Sequence, residues 1–237
     1  MDSFKFPAKI KNPIVIEGFP GFGLVGTIAT EFLIEHLKCE KIGRLWFEDL
    51  PATIAIHGGE VIDPVGIFYN EKYNLVIIHS ISGATGIEWD AADAVLDAVK
   101  KLKAKEIICI EGVGSPGEAS PDSNVYFYAS ETKNHKKLQA AGYDALKEGI
   151  IMGVTSSVLL KSEIPTTALF AETQSELPDS KAAARVIEAL DKYLGLKIDY
   201  QPLLKQAEKF EEKIKGIIAQ AKSSEQTREK KTLSYVG

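Results

Sequence analysis

The chain has 237 residues, 45% of them apolar, and a formal charge of -5. That length suits one large α/β domain or two small ones, and that apolar share fills a sizeable core. Charge is spread along the chain with no basic block before the C-terminal region, which argues against a nucleic-acid partner. No apolar run reaches the ~18 residues that a membrane-spanning helix needs, and residues 1–13 lack a signal-peptide hydrophobic region. Cys39 and Cys109, the two cysteines, sit in apolar context and read as buried thiols of a reducing, cytoplasmic compartment.

In chain order, an apolar run at 14–17 predicts a strand. The string Glu17-Gly18-Phe19-Pro20-Gly21-Phe22-Gly23-Leu24-Val25-Gly26 follows as a loop, and 27–37 reads as a helix with Thr27 as its cap. Short runs at 42–47, 52–57, 61–68 and 75–80, with Gly58-Gly59 between two of them, predict a hairpin-rich meander. Ala91, Ala94, Val95, Ala98, Val99 and Leu102 form a helical stripe over 89–103. A strand at 107–110 runs into a glycine-rich loop over 111–117, and 125–129 is another strand. A helix is expected near 135–141, and a glycine-punctuated passage at 149–154 leads into 156–161. A buried strand at 166–172 precedes a helix over 181–194, which Gly195 stops.

Composition shifts near Asp199. Gln201-Pro202 opens a helix whose apolar residues, Leu203, Ala207, Phe210, Ile214, Ile217 and Ala221, step by four and three as in a heptad seam. Such a helix either packs on its own domain or pairs with a second subunit, and the pattern fits both. Residues 223–237 open as a polar stretch expected to be disordered. They end on an apolar patch that includes Leu233, Tyr235 and Val236. The expected organisation is an α/β domain over 1–198, an amphipathic helix over 199–222 and a tail over 223–237.

Gly21, Gly23 and Gly26 have the G-x-G-x-x-G spacing that cradles a dinucleotide pyrophosphate, and Glu48 and Asp49 stand where a ribose-binding carboxylate would. Against that reading, Pro20 and Phe22 interrupt the loop, and hairpins follow where a second parallel strand is required. No Lys-Ser/Thr follows the glycines, so a Walker loop fails. Gly18, Gly21, Gly23 and Gly26 are better explained by a sharp turn and a close helix–strand approach. The loop would still offer N–H groups at a helix N-terminus to a weakly held phosphate or carboxylate.

The string from Gly18 to Gly26 resembles the signature opening of the PAC2 family, the proteasome assembly chaperones and their archaeal homologues. Gly149-Ile150-Ile151-Met152-Gly153 with Leu159-Leu160 is similar to the family's second glycine segment, although Ser156-Ser157 stand where a further glycine is expected. Ala168-Leu169-Phe170-Ala171-Glu172-Thr173, followed by Pro178-Asp179 and Lys181-Ala182-Ala183, resembles its late strand-to-helix passage. The resemblance spans 13–194. It implies a three-layer α/β domain with a mixed central sheet, similar to nucleoside phosphorylases, and a homo-oligomer. It implies a chaperone or activator of the 20S proteasome with no cofactor and no established catalytic residues. In archaeal relatives a flexible tail ending hydrophobic-Tyr-any residue enters pockets between proteasome α-subunits. Leu233, Tyr235 and Val236 are the counterparts here, with Tyr235 third from the end instead of second.

Metal-ligand spacing is absent around the four histidines, and a Ser-His-Asp arrangement is not readable. Glu17 and Glu111 both follow apolar strands and would meet at one sheet edge. Each either caps the backbone N–H groups of the next loop, the favoured expectation, or takes part in acid–base chemistry. The reading from another class is a small-molecule enzyme of the ATP-grasp, carboxylate-amine ligase or nucleotide-dependent hydrolase type, using loops 18–26, 80–86 and 111–117.

Overall fold

The computed structural model describes residues 6–7, 10–50, 54–57, 59–114, 124–173, 177–205 and 216. Four parallel strands form its centre. β1 (Ile14–Gly18) lies between β6 (Leu75–Ser80) and β7 (Glu106–Gly114), and β10 (Thr166–Thr173) follows β7. Their sequences are almost continuously apolar, as strands covered on both faces require. Antiparallel strands extend each side: β5 (Val65–Asn70) and β2 (Glu40–Arg44) beyond β6, and β8 (Val125–Ala129) beyond β10. β9 (Asp144–Ala145) completes the order β2-β5-β6-β1-β7-β10-β8-β9. β3 (Ala55–His57) and β4 (Glu60–Ile62) form a separate hairpin.

One sheet face is covered by α1 (Val25–His36), α3 (Thr132–Ala140), α5 (Ser180–Leu194) and α6 (Gln201–Lys205), the other by α2 (Glu88–Lys101) and α4 (Gly153–Lys161). This is the three-layer α/β domain with a mixed central sheet that the sequence resemblance implied. α5 is the most conventionally built helix. The Asp179 side chain accepts from Ala182 N–H at 2.9 Å, and Gly195 ends the helix in the left-handed region at φ 72°. α2 places Glu88 and Asp90 in its first turn and Lys100 and Lys101 in its last, complementing the helix dipole.

Several expectations are corrected. Thr27 does not cap α1. The helix begins at Val25 after Leu24, and Thr27 is buried inside it, donating its hydroxyl to the Ser80 carbonyl at 3.1 Å. The run 61–68 is two strands in two sheets, because Asp63-Pro64 turns the chain between them. Asp63 is buried there and held by Lys41 at 2.7 Å and Arg44 at 3.3 Å. The strand expected at 107–110 continues to Gly114, paired with β10 along that length, so Glu111 lies inside a strand instead of opening a loop. Of the heptad residues, Leu203 is buried with α1 and α5, whereas Ala207, Phe210, Ile214, Ile217 and Ala221 lie outside the described residues. Leu233, Tyr235 and Val236 lie outside them too.

Candidate functional site

In open α/β sheets ligands occupy the crevice beyond the strand C-termini where the chain reverses its direction of winding. Here β6 and β7 flank β1, and the reversal falls at the ends of β1 and β7. Among the described residues, the chain itself occupies the part of this crevice at the ends of β1 and β7. A short 3-10 turn at Phe22–Leu24 lies across it, and the Gly23 carbonyl accepts from Asp179 N–H at 2.9 Å, tying the turn to the start of α5. Thr173 Oγ1 donates to the other Asp179 oxygen at 2.8 Å.

The glycines let these pieces approach. A Cβ on Gly21 would overlap the Glu111 carboxylate, and one on Gly112 would overlap the Phe22 carbonyl. Gly18 and Gly26 face each other where α1 crosses the end of β1. Gly23 also has φ +63°, and a Cβ there would lie 2.7 Å from Thr173 Oγ1. The N–H groups that would serve a phosphate serve the protein's own carboxylate: Gly112 N–H donates to Glu111 Oε1 at 3.1 Å, and Phe22 N–H donates to Glu111 as well.

Glu17 and Glu111 do meet. Glu17 pairs in register with Cys109 across β1 and β7, and side chains two apart on a strand share a face, so Glu17, Cys109 and Glu111 all point towards α2 and α4. Ile78 on β6 and Phe170 on β10 flank the two acids in register. Thr155, in the first turn of α4, joins them: its Oγ1 lies 3.0 Å from Glu17 Oε1 and 3.2 Å from Glu111 Oε2. Glu17 is fully buried, and its Oε2 has no hydrogen-bond partner among the described residues, with only the weakly donating Cys109 thiol beside it.

Burial pushes the Glu17 carboxyl up to about 7, against the opposing bonds from Cys109 and Thr155. Burial, then the Glu17 charge, pushes Glu111 up to about 8. Burial and both acids push the Cys109 thiol up, which makes it an unreactive thiol. The expectation that each acid caps the loop that follows it holds for neither: Glu111 accepts from Gly112 N–H inside its own strand and from Phe22 N–H in the turn after β1, and the recorded oxygen bond of Glu17 goes to Thr155. Thr155 had no sequence signal, since nothing along the chain places residue 155 against residue 17.

The other sequence candidates fall elsewhere. Glu48 and Asp49 follow β2, which β5 and β6 separate from β1, so no ribose-binding carboxylate stands beside the glycine loop. They line a groove of about 610 Å³ with Arg44, Trp46 and the α2 residues Asp90 and Asp97. His79 is buried between Thr30 at 2.8 Å and Glu31 at 3.1 Å on the opposite sheet face. Among the described residues no group of His, Cys, Asp or Glu is arranged to hold a metal ion, and no helix is long and apolar enough to cross a membrane.

Comparison with known proteins adds the family. The PAC2 family model matches residues 15–218. The chain belongs to the PAC2 family. An uncharacterised protein of Methanocaldococcus jannaschii is 27% identical over 229 residues, 93% of each chain. Among solved structures, this PAC2 protein is similar to Pyrococcus furiosus PbaA, an archaeal homologue of a proteasome-assembly chaperone. The TM-score is 0.81 and the identity 30%, over 91% of this chain and 96% of PbaA. It is also similar to P. furiosus PbaB, an archaeal proteasome activator, with a TM-score of 0.73 and 25% identity over 90% of this chain and 96% of PbaB.

Proposed function

We propose that this protein binds the 20S proteasome as an assembly chaperone or activator, docking on α-subunits through its C-terminal tails. The observation that carries this reading is likeness to PbaA and PbaB along nearly the whole chain. The crevice agrees with that reading. Where an α/β enzyme keeps room for substrate, the described residues pack the Phe22–Leu24 turn, Glu111 and Thr155 together, which supports a close-packing role for the glycines.

The tail supplies the docking chemistry. An aromatic anchor at Tyr235 with Leu233 and Val236 suits an apolar pocket, and a polar tether lets it search. A seam over Ala207, Phe210, Ile214, Ile217 and Ala221, without the buried Leu203, assembles copies of the chain, and several tails on one oligomer raise one another's local concentration to roughly the millimolar range. The test is capture of proteasome core particle by the full-length protein and by a version truncated after Lys231. Strong capture by the first and loss with the second is expected; equal capture by both overturns docking through the tail. Native mass spectrometry, alone and with α-rings, reads the subunit count. A thermal-shift screen with ATP, NAD and nucleosides addresses the enzyme reading, since a ligand at 100 times its Kd adds about 2.7 kcal/mol of stability. No shift is expected.

A further inference from the structure

Thr155 presents a counting problem. Its hydroxyl has one hydrogen and stands within bonding distance of two carboxyl oxygens, Glu17 Oε1 and Glu111 Oε2. Two carboxylates would both need that hydrogen, and only one can have it. The second contact becomes a hydrogen bond when the other acid carries a proton and donates it to Oγ1. The backbone N–H groups of Gly112 and Phe22 donate to Glu111 and favour its anion, so they do not fix the proton on that acid. Whichever acid carries the proton donates to Thr155, and Thr155 donates to the other.

We infer that one proton, shared by Glu17 and Glu111 through Thr155, latches the first turn of α4 to the sheet. Loss of that proton at alkaline pH releases the segment around it. The groups facing the pair are Cys109 on β7, the Thr155 hydroxyl on α4, and the N–H groups of Phe22 and Gly112. No cation acts on either acid among the described residues. When the proton leaves, two anions share one donor in a site without a counter-charge, and repulsion falls on the hydroxyl between them. The proton affinity of Glu111, raised by burial and then by the Glu17 charge, agrees with this geometry and places the release of the last proton above neutral pH.

α4 is suited to respond. Its N-terminal side has no side-chain cap, and its first residue, Gly153, has φ +82°. Thr155 is the polar anchor of its first turn, while Lys161 to Asp93, at 2.6 Å, secures its last. The latched segment carries exposed Ile150, Met152 and Leu160, so the proton governs the position of an apolar surface.

Hydrogen exchange of the full-length protein, corrected for intrinsic rates, tests the latch. Between about pH 6 and pH 9, protection of peptides covering 150–161 should fall about tenfold, while peptides from α5 hold theirs. Glu111→Gln supplies an amide N–H in place of the shared proton, and protection should become insensitive to pH. Unchanged protection in the unmodified protein, or a uniform loss across all peptides, overturns the latch. So does a Glu111→Gln variant that keeps the pH response. If that variant does not fold, infrared spectra of the unmodified protein decide. A carboxylic-acid C=O band present at neutral pH and gone at alkaline pH is expected, and its absence at neutral pH overturns the proposal.

Discussion

β7 carries two buried glutamates, Glu106 at its start and Glu111 in its second half, and the two are housed on opposite terms. At the start of the strand, Glu106 Oε1 accepts from Thr167 Oγ1 at 2.6 Å, Tyr193 Oη at 2.7 Å and Asn134 Nδ2 at 3.0 Å. Donors outnumber acceptors there, and burial followed by the bond to Glu106 pushes the Tyr193 phenol up, keeping its hydrogen in place. In the second half Glu111 meets a second acid and one shared hydroxyl. Apart from two backbone N–H groups on Glu111 and the weak Cys109 thiol on Glu17, one hydroxyl serves both acids, and the deficit is made good by a proton from water. Two acids of the same type and similar burial thus differ in purpose: one fastens α3, β10 and α5 together, and the other makes a contact conditional on pH.

Breaking the Glu106 site should give the largest effect. Glu106→Ala strands the Tyr193 and Thr167 hydroxyls in the core and should cost about 3 kcal/mol or more, read by urea unfolding. A loss below about 1 kcal/mol would mean that the three donors find other acceptors and that the contrast between the two sites is false. At the Glu111 site, Gly21→Ala drives a methyl into the Glu111 carboxylate and should cost about 2–3 kcal/mol. That cost should shrink by more than half when Glu111 is already alanine, because the overlapping group is then gone. A cost undiminished in that background would place the strain in the turn itself.

The strands and helices of the three layers were legible because their apolar periodicity is strong, as in α5 and β10, and the mixed sheet followed from the family resemblance. What failed did so for local physical reasons. Thr27 looked like a cap because helix sequence patterns do not reveal that Leu24 adopts φ 52° and starts α1 earlier. Glu111 looked like a loop residue because a carboxylate and glycines interrupt the apolar run, yet parallel pairing to Phe170 carries the strand through them. Glu17 and Glu111 were visible as candidates from their place after apolar runs. Thr155 was not, since its role depends on how α4 docks, a contact between distant parts of the chain. The residues proposed for the seam beyond Leu203 and for the tail lie outside the described part of the molecule.

The pH profile sharpens the contrast further. Both acids at the Glu111 site have proton affinities raised above the ordinary carboxylate value of 4.5, to about 7 and about 8. The folded state therefore binds protons more tightly than the unfolded chain does. The stabilisation is complete below about pH 4.5 and is lost as pH rises from there through 7 and 8. Glu17→Gln should flatten that decline, because the remaining acid no longer faces a second charge. Urea unfolding across this range measures both slopes. A stability that rises with pH in the unmodified protein would contradict the assignment.

Thr155→Val should have the smallest effect and the most specific one. Valine keeps the shape and removes the hydroxyl, so near pH 6 the cost should be about 1 kcal/mol, one hydrogen-bonded group's worth. Without a mediator, the protonated acid must donate directly to its partner or lose its bond. Direct donation would leave the pH slope intact while lowering the whole curve. Loss of the bond would shift the decline in stability to higher pH, since each anion would then be less well solvated by the protein and would hold its proton more tightly. A curve merely lowered assigns Thr155 to fastening α4, and a curve displaced along the pH axis assigns it to holding the proton. The structure, with the hydroxyl between two acids that have no counter-charge, predicts displacement.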